Sequence, residues 1–553
     1  MSTTLRELPC KRIAFQVDAI IREMLRKIPP ALLLALPLAY FLYFYHLAAV
    51  GLIGPDEPRY AAISRTMAAS GDWVTPRLLG QPWFEKPALL YWMEALFFRA
   101  GFGAEIAPRL PVALLAVAFL VFYWWILRRE FGNTPASFAT AILGTSTAWI
   151  VSSQIATTDL PLAATYSAAM LLALPWVRRR DPAFLPWVAA LLGLAVLAKG
   201  PVALVLACPV LIPWSNERRK RPFRSTLGAN ILTFLRPRIV VPFLAVTLPW
   251  YALCTRANGA AFLREFFWVQ NLERFVSTTA VGQHGQPFWY FAPILLALLL
   301  PWTPLLPLAF RRGLYADSGR LFLLASVALC LVFFSKSANK LPSYILPVIP
   351  AAAALLGMAL AAVRNAAPWL AACALLLIAF PVAAPLLPIA VVSGLSHAPA
   401  PHFHWTWLLP LAIALMAWLF DRRGSRLAAL LAVVAGATIG AMTMKNAAAP
   451  ELDRMASART LRLQLDSRQQ AICVDWVPRG MRYSLDYYFV PPLPDCAQRS
   501  RPQWLYQRAG ELPALGPSQS SREPRHTIRP LGLTGRPAAL YPRFPGWIHD
   551  SAI

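Results

Sequence analysis

The sequence has few charged residues and, in particular, few acids. Only 14% of its 553 residues are charged, Asp and Glu together number 26, and 58% of the residues are hydrophobic. A soluble domain carries about 25% charged residues. The composition therefore excludes an ordinary cytosolic enzyme, and it also excludes a disordered chain, which would be poor in apolar residues. It predicts an integral membrane protein.

The basic residues outnumber the acids, with 52 Lys and Arg and a formal net charge of +26. In a soluble chain this excess would indicate a nucleic-acid partner, but in a membrane protein its distribution among the loops decides its meaning. The first 30 residues are polar and basic, and they lack a short apolar core followed by a small-residue cleavage site. The sequence therefore predicts no cleavable signal peptide and a retained first anchor.

Apolar runs recur along the chain at about the 20 residues that a helix needs to cross a bilayer. The first covers residues 31–53. Twelve more follow, at residues 109–127, 135–152, 160–177, 184–198, 201–214, 239–255, 288–310, 320–335, 343–363, 368–392, 405–420 and 427–444. A run shorter than 18 residues could instead be a re-entrant or buried helix. The sequence predicts about thirteen spans within residues 31–444, after a cytoplasmic segment at 1–30.

The loops between these runs differ in charge. Every second loop is basic, with the clusters Arg128-Arg129, Arg178-Arg179-Arg180, Arg218-Arg219-Lys220-Arg221, Arg311-Arg312, Arg364 and Arg422-Arg423. Basic loops face the cytoplasm, so the alternation predicts an N-terminus inside and a C-terminus outside. The remaining loops carry charges of both signs close to the ends of the runs. These are Asp56, Glu57, Arg59, Glu85, Lys86, Asp159, Lys199, Arg256, Glu265, Glu273, Arg274, His284, Lys336 and Lys340.

Mixed charges at one membrane face predict a site there, although span ends also tolerate charges without any function. The first of these loops, residues 54–107, contains Gly54-Pro55-Asp56-Glu57-Pro58-Arg59-Tyr60. A helix is expected at 61–69, and an amphipathic interfacial helix containing Glu94 at 88–98. Asp56 precedes the first helix, so it could be an N-cap rather than a reactive carboxylate.

The composition changes after residue 445, where Pro, Asp, Tyr and Arg become frequent. Residues 445–553 are enough for a small soluble domain on the outside, with short strands expected at 471–477 and 487–490. Cys473 and Cys496 are the only cysteines of this tail. They could pair in an oxidising compartment or remain as two free thiols.

Several short motifs resemble those of the bacterial lipid A aminoarabinose transferases. These are glycosyltransferases of the GT-C class, related to the protein O-mannosyltransferases, which take sugars from polyprenyl phosphates. The matching residues lie within about 30–350. They are Pro55-Asp56-Glu57-Pro58-Arg59-Tyr60-Ala61, Gly71-Asp72-Trp73-Val74-Thr75-Pro76, Phe84-Glu85-Lys86-Pro87, Thr157-Thr158-Asp159-Leu160-Pro161, Ala198-Lys199-Gly200-Pro201, Phe266-Phe267-Trp268-Val269, His284 and Lys340-Leu341-Pro342-Ser343-Tyr344.

The resemblance implies an inverting transfer of 4-amino-4-deoxy-L-arabinose from undecaprenyl phosphate to lipid A phosphate, which lowers the negative charge of lipopolysaccharide and gives polymyxin resistance. It implies an all-α polytopic GT-C fold with juxtamembrane helices in loop 54–107, and the tail is expected as a small periplasmic α/β domain. The expected location is the bacterial inner membrane. The expected partners are the lipid-linked amino sugar, lipid A and membrane lipids, without nucleic acid, and the protein is expected to be a monomer.

The implied chemistry assigns roles to the outside residues. The leaving phosphate gains negative charge, and cations and hydrogen-bond donors stabilise such charge. Its predicted ligands are Lys86, Arg59 and Tyr344, followed by Lys340 and Lys199. Asp56 matches the position of the GT-C catalytic carboxylate, and Asp159 and Lys86 are also predicted to be catalytic. Predicted substrate-binding residues are Glu57, Tyr60, Glu85 and His284.

The role of Asp56 stays open at this point. A general base is hardly needed, because the second pKa of a phosphate is near 6 and the acceptor is largely ionised at neutral pH. Asp56 could instead orient the acceptor through a cation or bind the amino group of the sugar. Glu85, Asp159 and His284 could hold a divalent metal, or they could form salt bridges or bind the sugar ammonium, so a divalent metal is one alternative and the sequence does not require it.

Two other functions would fit many membrane spans. A GT-C transferase for another polyprenyl-linked sugar or acceptor would share the fold and the loop motifs. A lipid or solute transporter would place its polar groups near the bilayer midplane within repeated halves. The sequence has no evident internal repeat, and its mixed charges cluster at one face, which favours the transferase.

Overall fold

The structure of the protein, a computed structural model, describes residues 30–214, 223–273, 286–394, 400–499, 501–507 and 511–517. Nearly all of its regular structure is α-helical. The α-helices are Pro30–Ala39, Glu57–Ser70, Leu89–Arg99, Ile106–Phe131, Asn133–Gly144, Thr147–Ser152, Asp159–Leu172, Leu174–Arg179, Leu185–Lys199, Val202–Leu206, Phe223–Phe234, Pro237–Leu263, Phe291–Leu298, Leu306–Ala309, Ser318–Lys336, Val348–Ala362, Ala367–Leu375, Ala379–Ala383, Leu387–Ser393, Leu409–Arg422, Arg426–Ala456, Arg459–Leu465 and Arg479–Tyr488.

Five helices in the described residues are long and apolar enough to cross a membrane: Ile106–Phe131, Asp159–Arg179, Pro237–Glu273, Ser318–Lys336 and Arg426–Ala456. A sixth span would form from Phe288–Leu298 and Thr303–Ala309, which are bent by 111° at their break. Shorter apolar helices are Ala35–Phe44, Leu185–Lys199, Val348–Ala362 and Ala367–Ala383. A multi-pass membrane protein is thereby confirmed, whereas the count of thirteen spans stays a prediction.

Close helix packing builds the core of the membrane part. Helix Val348–Ala362 lies against Asn133–Gly144 at Gly357, where an added Cβ would come within 2.4 Å of the Ala139 backbone nitrogen. Only a residue without a side chain permits such an approach, as in other membrane helix pairs. At the basic end of the bundle, Arg178 bridges two carboxylates, those of Glu130 at 3.0 Å and Asp317 at 3.1 Å. Some of the arginines that predict topology therefore also tie helix ends together.

The first loop contains the two expected helices. The first begins with Pro58 in its first turn, where the missing N–H would have had no partner, and it ends at Gly71 in the left-handed region with φ 73°. The second covers Leu89–Arg99, but it does not place Glu94 at a water interface as expected. Glu94 is fully buried and accepts a hydrogen bond from Ser64 Oγ at 2.7 Å, and burial raises the pKa of its carboxyl well above the usual range.

Two short antiparallel strands, Arg77–Leu78 and Gln81–Pro82, lie between these helices. Their turn uses Leu79 and Gly80, both with positive φ. The turn reverses the chain, so that residues 83–87 return towards the first helix. This reversal positions the segment that carries Glu85 and Lys86.

The tail contains a three-stranded sheet in the order Ile472–Val474, Gln503–Tyr506, Ala514–Pro517, with one parallel and one antiparallel pairing. The strand expected at 471–477 is confirmed, but the strand expected at 487–490 is wrong. Tyr487 lies in helix Arg479–Tyr488, in which Met481 and all of residues 483–487 are buried. Cys473 and Cys496 form a disulfide, which settles the alternative left open by the sequence.

A pH dependence of tail stability is expected from Asp486. Burial raises the pKa of its carboxyl to about 6, despite the nearby Arg482. A raised folded-state pKa gives a stability contribution that is present at acid pH and is lost as the pH rises through the folded pKa. The melting temperature of the tail should therefore fall between about pH 4 and 6. Asp486→Asn should remove this change, and a wild-type melting curve without it would contradict the expectation.

Candidate active site

Asp56 and Arg59 form the first part of the site. Asp56 occupies the N-cap position of helix Glu57–Ser70, but its side chain makes no capping hydrogen bond. Its Oδ1 instead accepts from Arg59 Nη2 at 2.5 Å. The Asp56 side chain is 40% exposed and that of Arg59 is 2% exposed. The Asp56 carboxylate is therefore accessible to a substrate, while the buried guanidinium of Arg59 holds it in position.

Arg59 also joins Asp56 to the second motif. Its Nη2 lies 3.0 Å from Glu85 Oε2, and Lys86 Nζ lies 3.2 Å from Glu85 Oε1. Burial lowers the pKa of the Arg59 guanidinium, but Glu85 and Asp56 outweigh this and hold that pKa well above its ordinary value. Two carboxylates thus alternate with two cations, in the order Asp56, Arg59, Glu85, Lys86.

Three aromatic rings surround the buried guanidinium. The Cζ atom of Arg59 lies 5.3 Å from the ring centre of Tyr60, 5.4 Å from that of Trp83 and 5.3 Å from that of Tyr483. Cations are attracted to the faces of aromatic rings at such distances. Tyr483 belongs to the tail, so residues far apart in the chain fix the same cation.

A second charged pair brings in the remaining motifs. Asp159, at the start of its helix, is bound by Lys199 Nζ, and this ammonium lies 4.5 Å from the ring centre of Tyr344. Asn339 Nδ2 donates to Tyr344 Oη at 3.2 Å. Lys199 is also within electrostatic range of the Asp56 carboxylate. Asp56, Arg59, Glu85, Lys86, Asp159, Lys199 and Tyr344 are therefore parts of one charged region.

Helix Pro237–Leu263 supports this region from one side. Trp250 Nε1 donates to Val74 O at 3.0 Å, and Asn258 Nδ2 donates to Thr75 Oγ1 at 2.9 Å. Phe84 packs in a buried apolar cluster with Ala88, Leu197, Trp250, Cys254, Phe262 and Phe266. Segments 71–76 and 83–88 of the first loop are thereby fixed to the membrane helices.

Glu57 lies beside Asp56 in sequence, but it faces the protein interior. Its carboxylate is 1% exposed and binds Arg109 with Oε1 to Nε and Oε2 to Nη2, both at 2.7 Å. The backbone N–H groups of Ala156 and Ile53 also donate to it, at 3.0 and 3.1 Å. A substrate role for Glu57 stays a prediction. The buried position of Glu57 supports a structural role, in which it holds the start of helix Glu57–Ser70, and with it Asp56, in place.

Two further predicted residues are also buried. Tyr60 is 2% exposed and packs edge-on against Tyr91. Lys340 is 5% exposed, and its ammonium donates to the backbone carbonyls of Ser337 at 2.6 Å and Gln286 at 2.9 Å. These bonds tie residue 286 to the Lys340 segment. Its predicted contact with a donor phosphate is untested.

The metal prediction is not tested by this geometry. His284 lies outside the described residues, and within the described ranges no group of three or more His, Cys, Asp or Glu side chains is arranged to hold a metal. Glu85 and Asp159 each contact a cation instead. Activity that survives thorough chelation would argue against a catalytic metal.

Sequence reasoning missed Tyr483 and Arg109. Arg109 donates to the carbonyls of Leu47 and Gly51 in addition to Glu57. Neither residue is part of a matching motif, and each reaches the site from a distant part of the chain. Local spacing carries no signal for such contacts.

Breaking the Glu57–Arg109 pair is expected to destabilise the protein strongly. Removing one partner of a buried ion pair costs about 3–5 kcal/mol, because the other charge stays buried without compensation. Arg109→Met should therefore lower the melting temperature in detergent and the yield of folded protein. Glu451→Gln, which breaks the exposed pair with Arg454 at 3.3 Å, should have little effect. Equal melting temperatures for the two variants would contradict this.

Known proteins similar to this chain are found by sequence and by structure. Residues 85–249 match the family model of dolichyl-phosphate-mannose-protein mannosyltransferases. An undecaprenyl phosphate-alpha-4-amino-4-deoxy-L-arabinose arabinosyl transferase of Pseudomonas aeruginosa (strain LESB58) is 36% identical over 329 residues, which are 58% of this chain and 57% of that protein. The enzyme of that name from Erwinia tasmaniensis is 34% identical over 387 residues, 67% of this chain and 66% of that protein.

A solved structure extends the similarity to the fold. The crystal structure of ArnT from Cupriavidus metallidurans bound to undecaprenyl phosphate aligns with a TM-score of 0.69 and 26% identity, covering 86% of this chain and 92% of that one. The resemblance to the aminoarabinose transferases is confirmed. Their membrane fold of the GT-C class is shared by this chain. The chain spans about 57% of the length of the curated Pseudomonas relative that it matches, and the match to the mannosyltransferase model includes Glu85, Lys86, Asp159 and Lys199.

Proposed function

We propose that this protein transfers 4-amino-4-deoxy-L-arabinose from undecaprenyl phosphate to a phosphate of lipid A, with inversion at the anomeric carbon. The observation that carries the proposal is the single charged region made by Asp56, Arg59, Glu85 and Lys86 together with the pair Asp159–Lys199. It is supported by the relatives of that name and by the matching fold of a protein bound to undecaprenyl phosphate.

In this reaction an acceptor phosphate oxygen forms a bond to the anomeric carbon while the bond from that carbon to the donor phosphate oxygen breaks. The electron pair leaves with undecaprenyl phosphate, which becomes a phosphomonoester. Preorganised cations stabilise charge that develops at a leaving group. Arg59 and Lys86 serve this purpose in the first loop, with Lys199 and Tyr344 as neighbours.

Asp56 is the accessible carboxylate of the region. Because an acceptor phosphate is largely ionised at neutral pH, proton removal contributes little to its attack. Asp56 therefore acts either as a base for a protonated acceptor or by orienting a substrate, including the ammonium of the amino sugar. The kinetic constants of Asp56→Asn distinguish the two roles, because loss of a base should lower kcat with little change in KM, whereas loss of an ammonium-binding carboxylate should also raise KM for the amino-sugar donor.

The same proposal includes an orientation in the bacterial inner membrane. About thirteen spans place the N-terminus in the cytoplasm, and the charged region and the tail 445–553 in the periplasm. Two features support this orientation. Alternate loops are basic, and the Cys473–Cys496 disulfide suits an oxidising compartment. The acting unit is proposed to be a monomer.

The test is a reconstituted assay with the purified full chain, defined undecaprenyl-phosphate aminoarabinose and lipid A. Mass spectrometry of the product should show the amino sugar on a lipid A phosphate. Wild type in a strain that lacks its own transferase should restore polymyxin resistance, and Asp56→Ala should not. If the folded wild-type protein transferred no sugar in this assay, the proposed donor and acceptor would be wrong.

A second candidate is a transferase of the same class for another polyprenyl-linked sugar. The match of residues 85–249 to the mannosyltransferase model favours testing it. The assay should therefore include polyprenyl-phosphate mannose with peptide and lipid acceptors. Transfer from this donor alone would replace the first proposal.

A further inference from the structure

Helix Arg479–Tyr488 of the tail lies directly on the residues that precede Asp56. Ser484 Oγ donates to Leu52 O at 3.0 Å, and Leu52 N donates to Tyr488 Oη at 3.0 Å. At Gly480 an added Cβ would lie 3.2 Å from the carbonyl carbon of Gly54. The first turn of this tail helix is therefore next to the Gly54-Pro55-Asp56 segment.

One tyrosine of this helix connects two arginines. The ring centre of Tyr483, a buried residue, lies 5.3 Å from Arg59 Cζ and 5.7 Å from Arg479 Cζ. Residues 479 and 483 are one helical turn apart, so they share a face of the helix. A second guanidinium thus reaches the ring that packs on the buried cation of the charged region.

We propose that Arg479 binds the phosphate of the acceptor lipid, and that Tyr483 positions Arg479 relative to Arg59. This inference rests on the proposed function, in which two phosphates must approach one anomeric carbon. The Arg59–Lys86 side of the region serves the donor phosphate. The acceptor phosphate carries its own negative charge, and a planar guanidinium can bind two of its oxygens at once.

The ring of Tyr483 supplies the physical basis for this arrangement. Two guanidinium groups repel each other, but each is attracted to an aromatic ring through the ring's quadrupole. A buried ring that both groups contact can therefore hold both cations at fixed positions. Such positioning matters because the attacking oxygen must be placed close to the anomeric carbon.

Other cations near this helix have contacts that hold the helix itself. Arg482 lies 3.3 Å from Asp486 and donates to Leu493 O at 3.1 Å. Arg65 donates to Tyr487 O at 2.9 Å and lies over the ring of Tyr487. Arg479 has contacts of its own as well, and the Tyr483 ring that it shares with Arg59 places it at the border of the tail and the charged region.

The test compares Arg479→Gln and Arg479→Lys with Arg499→Gln, a matched change at an exposed arginine of the tail. The full chain is used in detergent or nanodiscs. Arg479→Gln should raise KM for lipid A about tenfold to a hundredfold, the scale of a lost charge-assisted hydrogen bond. KM for the donor and binding of undecaprenyl phosphate should stay within about twofold. Arg479→Lys should give an intermediate KM for lipid A, because it keeps the positive charge but loses the planar guanidinium that can bind two phosphate oxygens.

Tyr483 is tested as a positioning residue by two variants. Tyr483→Phe keeps the ring and should retain the KM values of the wild type. Tyr483→Ala should raise KM for both substrates, because both guanidinium groups lose their support. If Tyr483→Phe were as impaired as Tyr483→Ala, the ring contact would not be the cause and the positioning role would be rejected.

Failure of this inference can be separated from failure of the proposed function. Binding of diphosphoryl lipid A, compared with its dephosphorylated form, needs no sugar transfer. Wild type should prefer the phosphorylated lipid and Arg479→Gln should lose that preference, even if the transferred sugar proves to be another one. Equal preference in wild type, Arg479→Gln and Arg499→Gln would overturn the role of Arg479.

Discussion

Asp56→Asn is expected to lower kcat by roughly 10²–10⁴, the range associated with a lost catalytic acid or base. Its carboxylate is 40% exposed and lies 2.5 Å from the buried Arg59. Asn keeps the size and one acceptor oxygen but removes the negative charge. The charge balance among Asp56, Arg59, Glu85 and Lys86 changes by one unit at the point that a substrate can reach.

The matched control is Asp72→Asn in the same loop. Asp72 is 34% exposed, lies 3.5 Å from Arg77, and accepts backbone N–H bonds from Val74 and Thr75 that an Asn oxygen can also accept. Its activity should stay near that of the wild type. Near-full activity of Asp56→Asn, measured with the folded protein, would remove Asp56 from the catalytic residues.

The second large effect is expected for Lys86→Met. Removing one preorganised donor to a developing negative charge costs about 10²–10³ in kcat. Lys86 lies 3.2 Å from Glu85 and has a side chain that is only 15% exposed, so its charge acts in a partly desolvated place. Lys86→Arg should recover part of the rate, because it restores the charge with a different shape.

Lys336→Met provides the comparison for Lys86. Lys336 is exposed at the end of helix Ser318–Lys336, and its replacement should leave kcat within about twofold, as expected for a surface change. Binding of undecaprenyl phosphate should weaken in Lys86→Met and not in Lys336→Met. If the two variants retained equal activity and equal lipid binding, Lys86 would have no role at the donor phosphate.

The sequence predicted those features that depend on neighbouring residues, such as the first helix of the loop 54–107 and the motifs beside it. The helix expected at 61–69 is found as Glu57–Ser70, and the Asp56 and Phe84-Glu85-Lys86 motifs meet through Arg59. Charge alone could not separate Asp56 from Glu57, because burial decides their roles. Glu57 turns inward, where Arg109 of a later helix and the backbone N–H groups of Ile53 and Ala156 bind its carboxylate.

The tail was harder to predict for a related reason. Residues 487–490 have strand-forming composition, but the burial of Met481, Leu485 and Tyr487 against the rest of the protein favours a helix. The contact from Tyr483 to Arg59 joins residues far apart in the chain. Its physical basis is tertiary packing, which leaves no periodic pattern along the sequence.

The contacts between helix Arg479–Tyr488 of the tail and residues 52–54 determine when the site can be completed during biosynthesis. Asp56 and Lys86 leave the ribosome early and reach the membrane long before residue 483 is made. Until then Arg59 lacks one of its aromatic neighbours, and the segment before Asp56 lacks its bonds to Ser484 and Tyr488. A nascent chain that already holds every matched motif is therefore still immature, and competence for transfer should arise only after the tail has docked.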